Sequence, residues 1–330
     1  MRRSAGFALV PLIALALLPV TAPPARANCG SEGCPLAVFG PERMHGRWTF
    51  DVGFQSIEQD KLWDGDAESD ETEGVGHVTE RLMDTESWVG NVGFAITPRV
   101  QVQAVIPYLK RHHVHDLEHH AGLFTTYEWQ FEGLGDASML GNWRATGDPA
   151  SGIGSLTVQA GIKLPTGATH VEEIDGEEPE PPARLGTGST DGLLGATLAH
   201  AFDVPIPGGR GTMPIALGVM GRVNGTGTDG YRVGNEVQGN LTAAYPVMPW
   251  ASVLLQVNGV VHDRDEVGDT DAEPHETGSE TLFITPGASV HLPSGVGAYA
   301  YWQIRTYAHT NGPQLVAPSH VILGLSYALH

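Results

Sequence analysis

From Trp48 onward the chain alternates apolar and polar residues at a period of two. Trp48, Phe50, Val52 and Phe54 interleave with Thr49, Asp51, Gly53 and Gln55. Leu156, Val158, Ala160 and Ile162 interleave with Ser155, Thr157, Gln159 and Gly161, and the same rhythm returns over Val237–Tyr245 and Val296–Arg305. Such alternation is strand geometry with one greasy and one wet face. No stretch after the first residues keeps a helical period. Twelve strands are predicted, near 46–57, 79–97, 99–110, 135–146, 153–165, 188–202, 212–223, 232–246, 249–262, 280–291, 296–307 and 319–330. Most run about ten residues or more, enough to cross a bilayer when tilted.

The connections test that count. Alternate ones are short, at Pro98, 147–152, 203–211, 247–248 and 292–295, and the intervening ones are longer. Short periplasmic turns and long outer loops mark an outer-membrane barrel, and a miscount would scramble the parity. The fold class expected is therefore all-β: an antiparallel up-and-down transmembrane barrel of about twelve strands over residues 46–330, with long acidic extracellular loops. A secreted β-sandwich is the soluble alternative. Its apolar face would be hidden between sheets, and its strands would average about half this length. Trp48, Trp88, Tyr108, Trp143, Phe202, Tyr245, Trp250 and Tyr327 stand near strand ends, as interfacial girdles require. The last strand ends on His330 rather than on an aromatic residue.

The N-terminus has its own logic. Arg2-Arg3, an apolar run from Phe7 to Val20, and Ala25-Arg26-Ala27 read as a secretory signal cut after residue 27. The run is too short, and too interrupted by Pro11 and Pro19, for a spanning helix. Residues 28–45 then form a periplasmic or lumenal segment. It carries the only cysteines, Cys29 and Cys34, which in an oxidising compartment suggest a local disulfide. The net charge of −20 argues against nucleic acid as a partner. The acids cluster, with eight over 58–78, six over 168–186 and seven over 263–279, all on the outer side. Those carboxylates either share divalent cations with lipopolysaccharide phosphates or simply form a solvated, repulsive surface. Outer-membrane lipid and the barrel-assembly machinery are the other expected partners.

With apolar partners facing lipid, the inward set includes Asp51, Arg99, Arg144, Lys163, Arg222, Tyr299, Tyr301 and Arg305, among rows of Gln and Asn. A polar lining implies water, and charged rings set selectivity. The basic excess suggests anions, unless Asp51, Asp136 and Asp191 pair with those cations and close the barrel. The stretch RHHVHDLEHH at 111–120 holds His112, His113, His115, His119 and His120, types that capture transition metals. His115, Glu118 and His119 also spell H-x-x-E-H, but that peptidase pattern needs a helix, which a strand-to-loop junction does not supply. The lone G-x-G-x-x-G at 225–230 reads as a turn, and Ser289-Val290-His291 lacks any lipase surroundings, so no enzyme and no resident cofactor are expected.

Three segments carry a resemblance. Gly133-Leu134-Gly135-Asp136, then LTVQAGIKLPTG at 156–167 and LGTGSTDGLL at 185–194, closing with NGPQLVAP at 311–318, are similar to the outer-membrane transporters of the meta-pathway phenol-degradation family. That group is distantly similar to the long-chain fatty-acid and toluene channels, which have more strands. The resemblance implies a gated outer-membrane channel for a small solute, an aromatic compound or an organic anion among them, with the N-terminal segment inside the lumen. Two other functions remain open: a surface metal-handling barrel using the histidine loop, and a structural barrel with a closed lumen.

Overall fold

The computed structural model describes residues 47–69, 78–120, 123–148, 153–171, 174, 178–179, 181–266 and 276–329. The signal segment 1–27, Cys29 and Cys34 lie outside them. Among the described residues fifteen strands follow one another: β1 Trp48–Gln59, β2 Leu62–Gly65, β3 Ala67–Glu68, β4 Val78–Thr97, β5 Val100–His120, β6 Leu123–Leu134, β7 Ser138–Asp148, β8 Ile153–Lys163, β9 Asp191–Ile206, β10 Gly209–Val223, β11 Glu236–Met248, β12 Ala251–His262, β13 Ser279–His291, β14 Val296–Leu315 and β15 Ser319–Leu329.

Twelve of them close a barrel. Each pairs antiparallel with its neighbour in the order β1-β4-β5-β7-β8-β9-β10-β11-β12-β13-β14-β15, and β15 returns to β1 with Trp48 opposite Leu329 and Ile57 opposite His320. The remaining three are outer additions. β2 pairs β14 and β3, while β6 pairs the far half of β5.

Side-chain polarity is inverted relative to a soluble protein. Leu194 and Leu325 are 66% and 65% exposed, whereas Gln101 and Asn142 are 2% exposed. A sandwich would reverse those values, so this is a transmembrane barrel. Outward aromatics form two rows. Trp48 packs on Phe94 at 4.6 Å, and six residues further along the same strands Phe54 packs on Trp88 at 4.7 Å. That interval is about 20 Å of strand.

Four expectations about length need correction. The connection 111–134 is not a loop: β5 continues to His120 and turns back as β6, because the two-faced alternation persists beyond the bilayer. Residues 308–318 likewise begin with the outer end of β14, and 58–78 holds β2 and β3. The periplasmic turn placed at 203–211 shrinks to Pro207-Gly208, with Gly208 at φ +87°, a conformation that glycine adopts freely.

Inside the wall, glycine makes room for two tyrosines. A Cβ on Gly324 would lie 2.1 Å from Cζ of Tyr299, and one on Gly287 would lie 2.2 Å from Cδ1 of Tyr301. The rings therefore lie flat on the sheet, stacked 5.0 Å apart. Gly324→Val should displace Tyr299 and destabilise the barrel by about 1–3 kcal/mol, read from its urea unfolding midpoint. In the background of Tyr299→Ala the same change should be nearly silent; equal losses in both backgrounds would show that the rings do not depend on this gap.

Candidate functional site: an inward strap anchored on one lysine

The first element of the site is a buried cation between two carboxylates. Alternation on β8 turns Lys163 inward, and β9 opens with Asp191 facing the same way. Asp136 lies in the short break between β6 and β7. Nζ of Lys163 reaches Asp136 at 2.7 Å and Asp191 at 2.9 Å, and it donates to Oγ1 of Thr187 at 2.6 Å. The three segments that carry the family resemblance therefore meet at one point. Asp136 also accepts from the backbone N–H of Gly167 at 3.0 Å and of Thr187 at 3.1 Å. Asp191 accepts from Oγ of Ser189 at 2.7 Å and from the N–H of Gly225 at 3.1 Å. One ammonium thus fixes both ends of the connection between β8 and β9.

That connection turns inward as a strap. Pro181–Gly186 are buried, with a single 3-10 turn at Pro181–Ala183. Ala183 packs against Met83 of β4 and Leu315 of β14, with Leu62 beside them. Nη1 of Arg111, from β5, donates to the carbonyls of Pro182 at 2.9 Å and Arg184 at 2.8 Å. Arg184 in turn donates to the carbonyls of Pro179 and Thr169 and pairs with Glu178 at 2.9 Å. So part of the acidic segment 168–186 is folded into the mouth, contrary to the expectation of a wholly solvated loop. The physical reason is local: the Pro-Pro-Ala stretch is uncharged, and Arg184 neutralises the nearest carboxylate. The adjoining G-x-G-x-x-G loop is the expected turn. It docks on the strap through the N–H of Thr228 and the carbonyl of Thr187, 3.1 Å apart.

Most other residues expected in the lumen do face inward, but as parts of pairs. Asp51 is buried and accepts from the hydroxyl of Tyr299 at 2.9 Å. Arg222 pairs with Glu236 of β11 at 2.9 Å. Arg144 is half-buried on the inner face of β7. Arg305 sits at a bulge in β14, its guanidinium 4.0 Å from the Trp63 ring of β2, a link that periodicity does not reveal. Arg99 is the exception. It lies exposed in the turn between β4 and β5, one residue before the strand begins.

The histidine stretch divides by the same alternation. His113 and His115 are buried on the inner face of the β5–β6 hairpin, their rings 5.5 Å apart and packed on Trp129 and Tyr127. His112 faces the opposite way, 2.9 Å from Glu128. The side chains of His119 and His120 lie outside the described residues. His112 and His113 therefore do not converge on one ion, and among the described residues no three His, Cys, Asp or Glu side chains gather as metal ligands. In a strand, His115 and His119 also stand about 13 Å apart, so the peptidase arrangement fails on geometry.

Comparison with known proteins follows this geometry. No protein-family model matches the chain, and no curated protein matches it. Among solved structures, an outer membrane channel from Pseudomonas putida F1 superposes with a TM-score of 0.60 at 12% identity, over 86% of this chain and 95% of that one. The β domain of the Bordetella autotransporter BrkA (TM-score 0.43, 11% identity, 86% of this chain and 100% of that one) and a FadL homologue from Pseudomonas aeruginosa (0.41, 9%, 86% and 91%) align less closely. At such an identity the likeness to the first is one of fold, a closed antiparallel β-barrel.

Two predictions follow from the site. Replacing Lys163 by Met leaves two carboxylates facing each other without a cation, which should weaken the anchor by about 3–5 kcal/mol. Amide hydrogen exchange over 164–190 should accelerate while β8 stays protected, and the triple change Asp136→Asn, Lys163→Met, Asp191→Asn should recover much of the loss. Unchanged exchange in Lys163→Met would mean that the strap is held elsewhere.

The second concerns the hairpin. Burial, with His115, Arg111 and His112 nearby, pushes His113 down to about 3, and burial pushes His115 down to about 4 against the pull of Asp116. The opened hairpin binds protons more readily than the packed one, so packing is at full strength above the ordinary histidine value of about 6.5. It is lost progressively as pH falls through about 4 and then about 3. Exchange over 111–134, corrected for intrinsic rates, should rise from pH 7 to pH 4, and His113→Phe with His115→Phe should abolish the rise. A pH-independent wild type would contradict the buried neutral pair.

Proposed function

We propose that the protein is a passive outer-membrane channel for a small solute, closed at rest by the strap and opened when the strap withdraws. The observation that carries this reading is the way the strap is attached. Its residues 181–190 lie across the mouth outside the sheet, held by side chains of Lys163, Arg111 and Arg184. A permanent plug would be built more simply by continuing the strands. Contacts made by a few side chains can be released without breaking the wall, which is what gating asks of a loop. The chain's fold likeness to an outer membrane channel supports the same reading. The barrel would enter the membrane through the assembly machinery and meet lipopolysaccharide with its acidic loops. Catalysis is no part of this proposal.

The test is electrical. In planar bilayers the wild type should show small, flickering currents. A variant with 168–184 replaced by a short Gly-Ser link should show larger, steadier ones. Equal conductance in the two proteins would refute the strap as gate, and no current from either would favour the closed structural barrel.

A further inference from the structure

We propose that the inner face of the outer hairpin binds a soft monovalent metal ion, Cu(I) or Ag(I). Its ligands are the imidazoles of His113 and His115 and the thioether of Met83, with the Trp129 ring as a wall. Two histidines one residue apart on a strand share a face, and these two are buried on the inner one, their rings 5.5 Å apart. Met83 of β4 is the cross-strand neighbour of His113 on that buried face, and Trp129 of β6 is its neighbour on the other side. One row across three strands therefore presents thioether, imidazole and indole. The indole lies 5.7 Å from the His113 ring and 4.8 Å from that of His115. The site is indifferent to whether the barrel conducts.

The donor set selects the ion. Hard cations take oxygen ligands, whereas thioether sulfur and imidazole nitrogen suit Cu(I), and an indole face attracts a desolvated cation. Glu80 is the cross-strand neighbour of His115, but among the described residues no carboxylate completes a set with the two histidines. Burial keeps both imidazoles neutral at pH 7, which is the ligating form. Among the described residues Nδ1 of His113 has no hydrogen-bond partner, a cost to the packed hairpin that a bound ion can relieve. The Arg111 charge is one of the causes that push His113 down, so a dication would meet twice the repulsion that a monovalent ion meets. Met83 packs on Ala183 and Leu315, and its flexible chain lets the sulfur turn onto an ion beside His113. Entry is through opening of the hairpin. β6 is paired on one edge alone among the described residues, so this part of the sheet opens at lower cost than the wall.

The experiment titrates the whole barrel in detergent with Ag⁺, and with Cu⁺ against a competing chelator. Its background is Cys29→Ser with Cys34→Ser, which removes the only thiols. One ion per chain should bind, and Zn²⁺ should bind more weakly. Losing a group that merely supports a ligand costs about 10–100-fold in metal affinity, so His113→Phe with His115→Phe should cost at least about 100-fold and Met83→Leu about tenfold. His112→Ala, on the opposite face, should change nothing. X-ray absorption of the Cu(I)-loaded background protein should report nitrogen neighbours and one sulfur, a readout that needs no substitution in the site. Met83→Leu should then remove the sulfur. Equal Ag⁺ affinity with and without the two phenylalanines, in proteins that heat-modifiability shows folded, would overturn the site. So would Zn²⁺ binding more tightly than Ag⁺, a spectrum without sulfur, or a sulfur signal that survives Met83→Leu.

Discussion

The return of the last strand to the first is the constraint on which the rest of the structure depends. In hydrocarbon no water satisfies a free backbone N–H or C=O, so a sheet that crosses the bilayer must close on itself. β15 lies against β1 in unbroken register from Trp48–Leu329 to Ile57–His320. Once closure is fixed, a single decision assigns every side chain: one parity goes to lipid and the other to the enclosed space. Phe50 and Val52 must then be exposed while Asp51 and Gln55 are buried. The polar lumen is thus a consequence of closure, and whatever chemistry the protein performs has to be built from it.

Closure also explains why Lys163 needs two carboxylates. A cation on the inner wall is cut off from bulk water, and the desolvation it suffers exceeds what one indifferent contact returns. Asp136 and Asp191, supported by Thr187, Ser189 and three backbone N–H groups, supply a complete shell. That shell uses residues from three separate segments, so satisfying one ion also sets the path of the chain between them. The strap's position is a by-product of electrostatics. Hydrophobic burial adds the small contact of Ala183 with Met83, Leu315 and Leu62 and that of Leu185 over Gly133.

How much of this was legible follows from what period-two patterning reports. It reports the face on which a side chain stands, so Asp51, Lys163, Tyr299 and Tyr301 were read as inward from the sequence and are inward in the structure. It says nothing of where a connection goes. The connection 166–187 was read as an outer loop from strand parity and its length, neither of which reports that its uncharged Pro181-Pro182-Ala183 turns inward. Alternation also fails one residue beyond a strand, which misplaced Arg99. It cannot anticipate that a bulge in β14 brings Arg305 onto Trp63. The histidines show the opposite case: composition pooled His112 with His113 and His115, which strand alternation puts on opposite faces.

The outer hairpin raises a different demand, which bears on the net charge. Among the described residues β6 pairs with β5 alone, so its other edge presents N–H and C=O groups that a second chain could adopt. Edge strands are protected by charge, and β6 carries Glu128, Gln130 and Glu132 on its exposed face. A second copy of β6 laid along this edge would set carboxylates against carboxylates, which is destabilising across a strand pair. The neighbouring acids at Asp84 and Asp116 have the same sign. A hairpin that projects beyond the membrane cannot use lipid to cover its edge or closure to remove it. Repulsion is the means left, and on β6 Glu128 and Glu132 supply it.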